Sequence, residues 1–333
     1  MSRPNLFQIA TKELSQDGFI TWLIKWADPS NMEYDADLCR SAQSFVRFLL
    51  EQDESYIITS VDAGRQWEHI DIWAEVNGTD AIIIEDKTGT REHSDQLTRY
   101  RVFALNHYSG SGVNLHCIYL KTGNESLDLM NAVKEKGYTP INRTTFLDCL
   151  EKNISQNDIY REYVSSMRRI EDETNDYSSV ERIHHNWYAS EGFFLRLQKE
   201  LLPQWSSWGY VPNASGGFQG FWYHWTDTVD FPELYIQIEN SEPEIKLVVK
   251  VAGNEVSTEQ LYEALPNIQR IGLNHNLKLE KPRRYRSGGT ATLAVVSNAF
   301  DPASFSIDGF LDILHRLEMV IDDYAEEFPS VEQ

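Results

Sequence analysis

The sequence predicts an α/β domain with a mixed sheet flanked by helices, followed by a second domain of α+β type. Three observations predict it. Helical and strand-like periodicities in the first half follow the order α-β-β-β-α-β. Two apolar runs, residues 70–76 and 81–84, flank Asn77-Gly78, a strong short-range hairpin signal. A polar stretch rich in Asp, Asn and Ser, within residues 155–180, then separates this half from aromatic-rich strands. At 333 residues and 41% hydrophobic content the chain can build two cores, and the expected domains are 1–175 and 176–333.

In the first half, residues 11–27 carry Leu14, Phe19, Ile20, Leu23, Ile24 and Trp26 at mainly helical spacing, with Thr11 or Ser15 as the expected cap. A second helix is expected over 37–51 and a first strand over 56–61. The hairpin comes next, then a helix starting at Thr90 or Ser94 and a strand over 113–120. A helix over 125–136, a short strand over 138–141 and a helix from Thr144 close the domain. In the second half, a single helix is expected over 181–202, with Trp187, Phe194, Leu197 and Leu201 in the core. Strands over 220–225, 234–239 and 245–251, a helix over 258–265, a strand over 290–297 and a helix over 306–326 complete the pattern.

The hairpin carries the charged residues that matter. Side chains alternate across a strand, so Glu85 and Lys87 share one face and Asp86 points to the other. A two-residue loop would put Asp71 on the wrong face. A three-residue loop places it across from Glu85, so an odd-length loop is expected. Two carboxylates beside an ammonium in an apolar sheet repel and resist desolvation unless a cation lies between them. A hard divalent ion such as Mg2+ resolves that conflict, and Lys87 could then orient water or neutralise developing negative charge.

Asp71 followed by Glu85-Asp86-Lys87 resembles the signature of the PD-(D/E)xK nuclease superfamily, although Ile70 stands where the name-giving proline would be. Gln96-Leu97-Thr98-Arg99-Tyr100 is similar to the QxxxY element of its RecB-type members, and residues four apart share a helix face. The resemblance covers residues 6–150 and implies a restriction-endonuclease-like core with metal-dependent hydrolysis of DNA or RNA phosphodiesters. It further implies Mg2+ or Mn2+ held by Asp71, Glu85, the Asp86 carbonyl and Glu13, with Lys87, Gln96 and Tyr100 completing the site. For Glu13 the alternative is an acid favourably placed at a helix N-terminus. Phage defence is a context in which such nucleases recur.

The charge is −21, and neither half is basic: residues 1–176 carry 18 Lys+Arg against 29 Asp+Glu, and residues 177–333 carry 12 against 22. Phosphate contact then needs a local basic surface, a metal, or a partner protein or homo-oligomer that delivers the substrate. Arg91, Arg99 and Arg101 near the motif are candidates, as are Arg283 and Arg284 in the basic stretch from Lys278 to Arg286. A solvated loop balancing nearby acids is the alternative for that stretch. The acidity also fits a second reading, a non-catalytic binding or regulatory subunit on the same fold. Trp205, Trp208, Tyr210, Phe218, Phe221, Trp222, Tyr223 and Trp225 could stack bases, but core packing is the expected role. His93, His184 and His185 lack partners at ligand spacing. Neither a phosphate-cradling GxxxxGK[ST] pattern nor a nucleophile elbow is present. Cys39, Cys117 and Cys149 lack disulfide or zinc-knuckle spacing, no apolar run approaches a membrane span, and the N-terminus has no signal-peptide core, so a reduced, cytoplasmic setting is expected.

Overall fold

The computed structural model describes residues 4–90, 95–213, 216–241, 244–297, 299 and 301–330. It divides into two compact units, one running to Glu125 and resuming over Leu129–Asp172, the other made of Ser126–Asp128 and the chain from Glu173 onward.

The first unit is a mixed α/β layer structure. Helices α1 (Glu13–Trp26) and α2 (Ala36–Leu49) precede strands β1 (Val61–Trp67), β2 (Ile70–Val76) and β3 (Asp80–Lys87). Helix α3 (Gln96–His107), strand β4 (Asn114–Lys121), helix α4 (Leu127–Glu135), strand β5 (Thr139–Asn142) and helices α5 (Arg143–Lys152) and α6 (Asp158–Asn175) follow. The sheet order is β1-β2-β3-β4-β5, antiparallel through β3 and parallel from β3 to β5. Every residue of β3 is buried, as a central strand covered on both faces requires. Ile82 and Ile84 face a core with α1, α2, α5 and α6, while Ile83 faces a smaller core with Leu97, Tyr100 and Ala104 of α3.

Three local expectations change. Residues 56–60 are not a strand. The Asn77 side chain accepts hydrogen bonds from the Thr59 and Ser60 amides (2.7 and 3.3 Å) and donates to the Ile57 carbonyl (2.9 Å), so a side chain satisfies this backbone in place of a ladder. The strand is β1, which is polar because it pairs only with β2 at the sheet edge. Lys12 occupies the N-cap position of α1 without a side-chain capping hydrogen bond, in place of Thr11 or Ser15, and α3 starts after Asp95 rather than at Thr90. Ser94 lies outside the described residues.

The second unit packs helices α7 (Val180–His185), α8 (Trp187–Glu200), α9 (Thr258–Asn274) and α10 (Ile307–Glu327) with one face of a six-stranded antiparallel sheet. Its strands are β6 (Ser206–Val211), β7 (Phe218–Thr226), β8 (Glu233–Ser241), β9 (Glu244–Val256), β10 (Leu279–Glu280) and β11 (Gly288–Val296), in the order β10-β11-β9-β8-β7-β6. The expected single helix over 181–202 is two helices, because Asn186 ends α7 and its side chain caps α8 through the Tyr188 and Ala189 amides. That break leaves Trp187 in the first turn of α8 at 53% exposure, outside the core assigned to it, whereas Phe194, Leu197 and Leu201 are buried. Helix α9 continues through Pro266, since Leu261, Ala264, Ile268 and Ile271 keep one buried stripe on both sides of it. The aromatic cluster divides: Trp208, Phe221 and Tyr223 are core, while Trp205 and Tyr210 are more than half exposed.

Candidate active site

The hairpin pairs Val76 with Asp80 and leaves Asn77, Gly78 and Thr79 as a three-residue loop. Asn77 and Gly78 have φ of 56° and 67°, and the Thr79 amide closes the turn on the Val76 carbonyl (3.1 Å). The odd loop brings Asp71 onto the face of Glu85.

The side chains converge on one ammonium. Lys87 Nζ lies 2.6 Å from Glu85 Oε1, 3.5 Å from Asp71 Oδ2 and 3.0 Å from the Asp86 carbonyl oxygen, to which it donates. Asp71 Oδ2 also accepts from the Asp86 amide at 3.1 Å, tying the two strands together at the motif. Burial, reinforced by the neighbouring Asp71 charge, pushes the Glu85 carboxyl up to about 7, with Lys87 pulling the other way. Burial disfavours the Lys87 ammonium, but Glu85 and Asp71 outweigh it and hold the group above the usual lysine range. Lys87 is therefore a charged donor at neutral pH.

On the opposite face, as the alternation requires, the Asp86 side chain meets α1. Gln16 Nε2 donates to Asp86 Oδ1 at 2.5 Å, and Gln16 Oε1 accepts from the Thr122 and Tyr163 hydroxyls at 2.9 and 3.0 Å. Asp86 is fully buried beside Asp17, and desolvation plus the Asp17 charge raises its carboxyl well above the usual range, so the pair resists carrying two charges. Desolvation likewise pushes Asp17 up to about 6. Sequence reasoning missed Gln16 and Asp17. Their signal was available: Glu13, Gln16 and Asp17 are polar residues three and four apart, one face of an otherwise apolar helix.

Glu13 is the first residue of α1 and accepts from the Thr88 amide (3.2 Å) and the Thr90 hydroxyl, fastening the segment that follows β3. Gly123 permits a close approach there, since a Cβ would meet the Thr88 carbonyl oxygen at 1.9 Å. Lys121 pairs in register with Lys87 on the parallel neighbour, donates to the Thr90 carbonyl and lies 3.7 Å from Glu125, a second buried lysine that sequence reasoning missed. Gln96 Nε2 donates to the Tyr100 hydroxyl at 3.1 Å, and Tyr100 packs with Ile83 on the face that carries Glu85 and Lys87. The Arg99 guanidinium stands over the Tyr100 ring at 5.9 Å. The Arg101 guanidinium lies near the Cys117 thiol, opposing the burial that pushes that thiol up to about 11. Arg91 and His93 lie outside the described residues, and Arg283 and Arg284 are exposed in the second unit.

The donors fit a hard divalent cation in kind: two carboxylates and a carbonyl, with Glu85 Oε2 buried and lacking a hydrogen-bond donor. Among the described residues, no cluster of three or more His, Cys, Asp or Glu side chains could hold a metal, so a carbonyl and non-protein oxygens would complete the shell.

A family model described as the PD-(D/E)XK nuclease superfamily matches residues 4–176. No curated protein and no solved structure matches the chain.

Proposed function

From the premise that this chain belongs to the PD-(D/E)XK nuclease superfamily, we propose that it hydrolyses phosphodiester bonds of DNA or RNA with Mg2+ or Mn2+ at the Asp71/Glu85/Lys87 centre. The observation that carries this reading is the convergence of Asp71, Glu85 and the Asp86 carbonyl on one cationic point, now taken by Lys87 Nζ. Asp71, Glu85 and the Asp86 carbonyl would hold the metal, with Glu13 joining them only if it left Thr88 and Thr90. The bound ion would supply Lewis-acid polarisation of the phosphate and a more acidic water.

The chain's own residues supply the rest. Lys87 stays protonated and donates toward a phosphate oxygen or the attacking water, stabilising the charge that builds up in the transition state. Glu85, poised near neutrality, can take or hold a proton at its free oxygen when it is not a ligand. Gln96 and Tyr100 of α3, hydrogen-bonded to each other, form the edge of the site and position the substrate. Arg99, over the Tyr100 ring, is a candidate for the phosphate backbone, with Arg91 in the preceding segment and Arg283 and Arg284 as a separate contact.

The test is incubation of wild type and Glu85→Gln with Mg2+ or Mn2+ and single- and double-stranded DNA and RNA. Metal-dependent cleavage that falls by at least about a hundredfold in the variant is expected. Equal cleavage by both proteins overturns the reading. Failure of wild type to cleave any of the four substrates favours the binding or regulatory alternative, which the charge of −21 supports. Charge reversal at Arg283 and Arg284 should weaken nucleic-acid binding at low salt, and unchanged affinity removes them as contacts.

A further inference from the structure

In the second unit, Gln204, Trp205, His224 and Trp225 line a cavity of about 700 Å3, a size that suits a small organic ligand. Its walls are aromatic and arranged at an angle. The Trp205 and Trp225 rings lie 4.9 Å apart at 57°, and Trp225 is backed by Tyr235, stacked at 5.0 Å and 14°. Trp205 is 57% exposed, an uncommon position for an indole that serves packing alone.

The backbone is bent to make this wall. His224 has φ of 59°, the left-handed region that non-glycine residues seldom occupy, at a register shift between Tyr223 and Thr226 where β7 pairs with β8. The bulge gives Trp225 its stack on Tyr235, while His224 contacts α10. Both imidazole nitrogens are engaged, Nδ1 with Gln204 Oε1 at 3.3 Å and Nε2 with Asp322 Oδ1 at 2.9 Å, so the ring is fixed as a wall. Strain of this kind persists where surrounding contacts over-determine it, and it gathers at ligand sites.

Charge decides what the cavity can take. Asp322, the hydrogen-bond partner of His224, lines a separate cavity of about 430 Å3 together with Asp227 and Glu326. Among the described residues, no lysine or arginine lines either cavity. Indole faces present negative potential, and Asp322 behind His224 adds to it, so an organic cation is favoured over phosphates and other anions.

We propose that this pocket binds an organic cation, an alkylammonium or guanidinium group that lies against the Trp205 and Trp225 rings, with the Asp322 carboxylate behind His224 adding to the attraction. Two sources offer that chemistry, a free polyamine and the basic side chain of a partner protein. The site lies within the second unit and is independent of the nuclease chemistry.

The full chain is titrated with spermidine, with a hexa-arginine peptide and with AMP, following tryptophan fluorescence and heat at about 150 mM salt, where diffuse attraction is screened. Saturable binding of spermidine or of the peptide, and not of AMP, is expected, and the tighter of the two names the source. Trp205→Ala is expected to weaken it by about tenfold or more, and Asp322→Asn by severalfold. Three results overturn the proposal: no saturable binding of either cation, tighter binding of AMP, or cation binding unchanged in both variants, which would assign it to the general acidity of the surface. A far-ultraviolet circular dichroism spectrum shows that each variant is folded, and Asp322→Asn, at an exposed side chain, carries the test if Trp205→Ala is not.

Discussion

Asp86 is the residue on which both faces of the motif strand depend. Its carbonyl accepts from Lys87, its amide is held by Asp71, and its carboxyl is buried against Gln16 and Asp17. A buried pair of carboxyls cannot both ionise at low cost, so one stays protonated. The consequence for stability has a definite sign. Asp17 titrates at about 6 in the folded chain against an ordinary value of 3.8, so the folded state holds the proton more tightly, and stability falls as pH rises through that window. Asp17→Asn removes this loss and leaves an amide that can donate to an ionised Asp86. It should stabilise the protein by roughly 1–3 kcal/mol at pH 8, with the gain shrinking toward pH 4, as read from urea unfolding. Lys87 gives a separate prediction. Its ammonium occupies the point where the three oxygens meet, so Lys87→Ala should abolish cleavage yet bind Mn2+ at least as tightly as wild type. Loss of metal binding in that variant would make Lys87 a structural residue.

At the scale of elements, the hairpin loop decides whether a site exists. Three loop residues put Asp71 beside Glu85, and two would turn the entire strand over. Thr79→Ala should cost about 1 kcal/mol, for one hydrogen bond from its hydroxyl to Asp80. Deletion of Thr79 should cost several times more and abolish metal binding, because β2 must either bulge or slip Ile72, Ala74 and Val76 out of the core. A deletion that leaves the unfolding midpoint unchanged would contradict the register argument. This part of the molecule was legible in the sequence, since alternation along two short strands and a glycine turn leave few registers open. The misplaced first strand was not: residues 56–60 look β-rich, but Asn77, some twenty residues away, takes their backbone bonds. Pro266 misled in the opposite direction. A local breaker stopped the expected helix at residue 265, while the buried stripe that carries α9 to Asn274 is a tertiary fact. The Asp17–Asp86 pair needed packing to be seen, because periodicity says which face a residue takes and not what lies across from it.

For the whole molecule, the charge of −21 sets the terms on which a polyanion can approach. A basic nucleic-acid-binding protein loses affinity steeply as salt rises. Here repulsion is screened instead, so association with substrate at fixed Mg2+ should stay flat or rise as NaCl goes from about 20 to about 100 mM. A steep fall over that range would mean that a local basic surface dominates. The acidity also makes a divalent cation at the Asp71/Glu85 centre the claim on which the functional account rests. Its most direct measurement is calorimetry of Mn2+ binding to wild type and to Asp71→Asn at pH 6 and pH 8. One tight site per chain is expected in wild type, stronger at pH 8 because Glu85 must lose the proton it holds up to about 7, and at least about tenfold weaker in the variant. Absence of a tight site in wild type, or identical binding by the two proteins, would contradict the account.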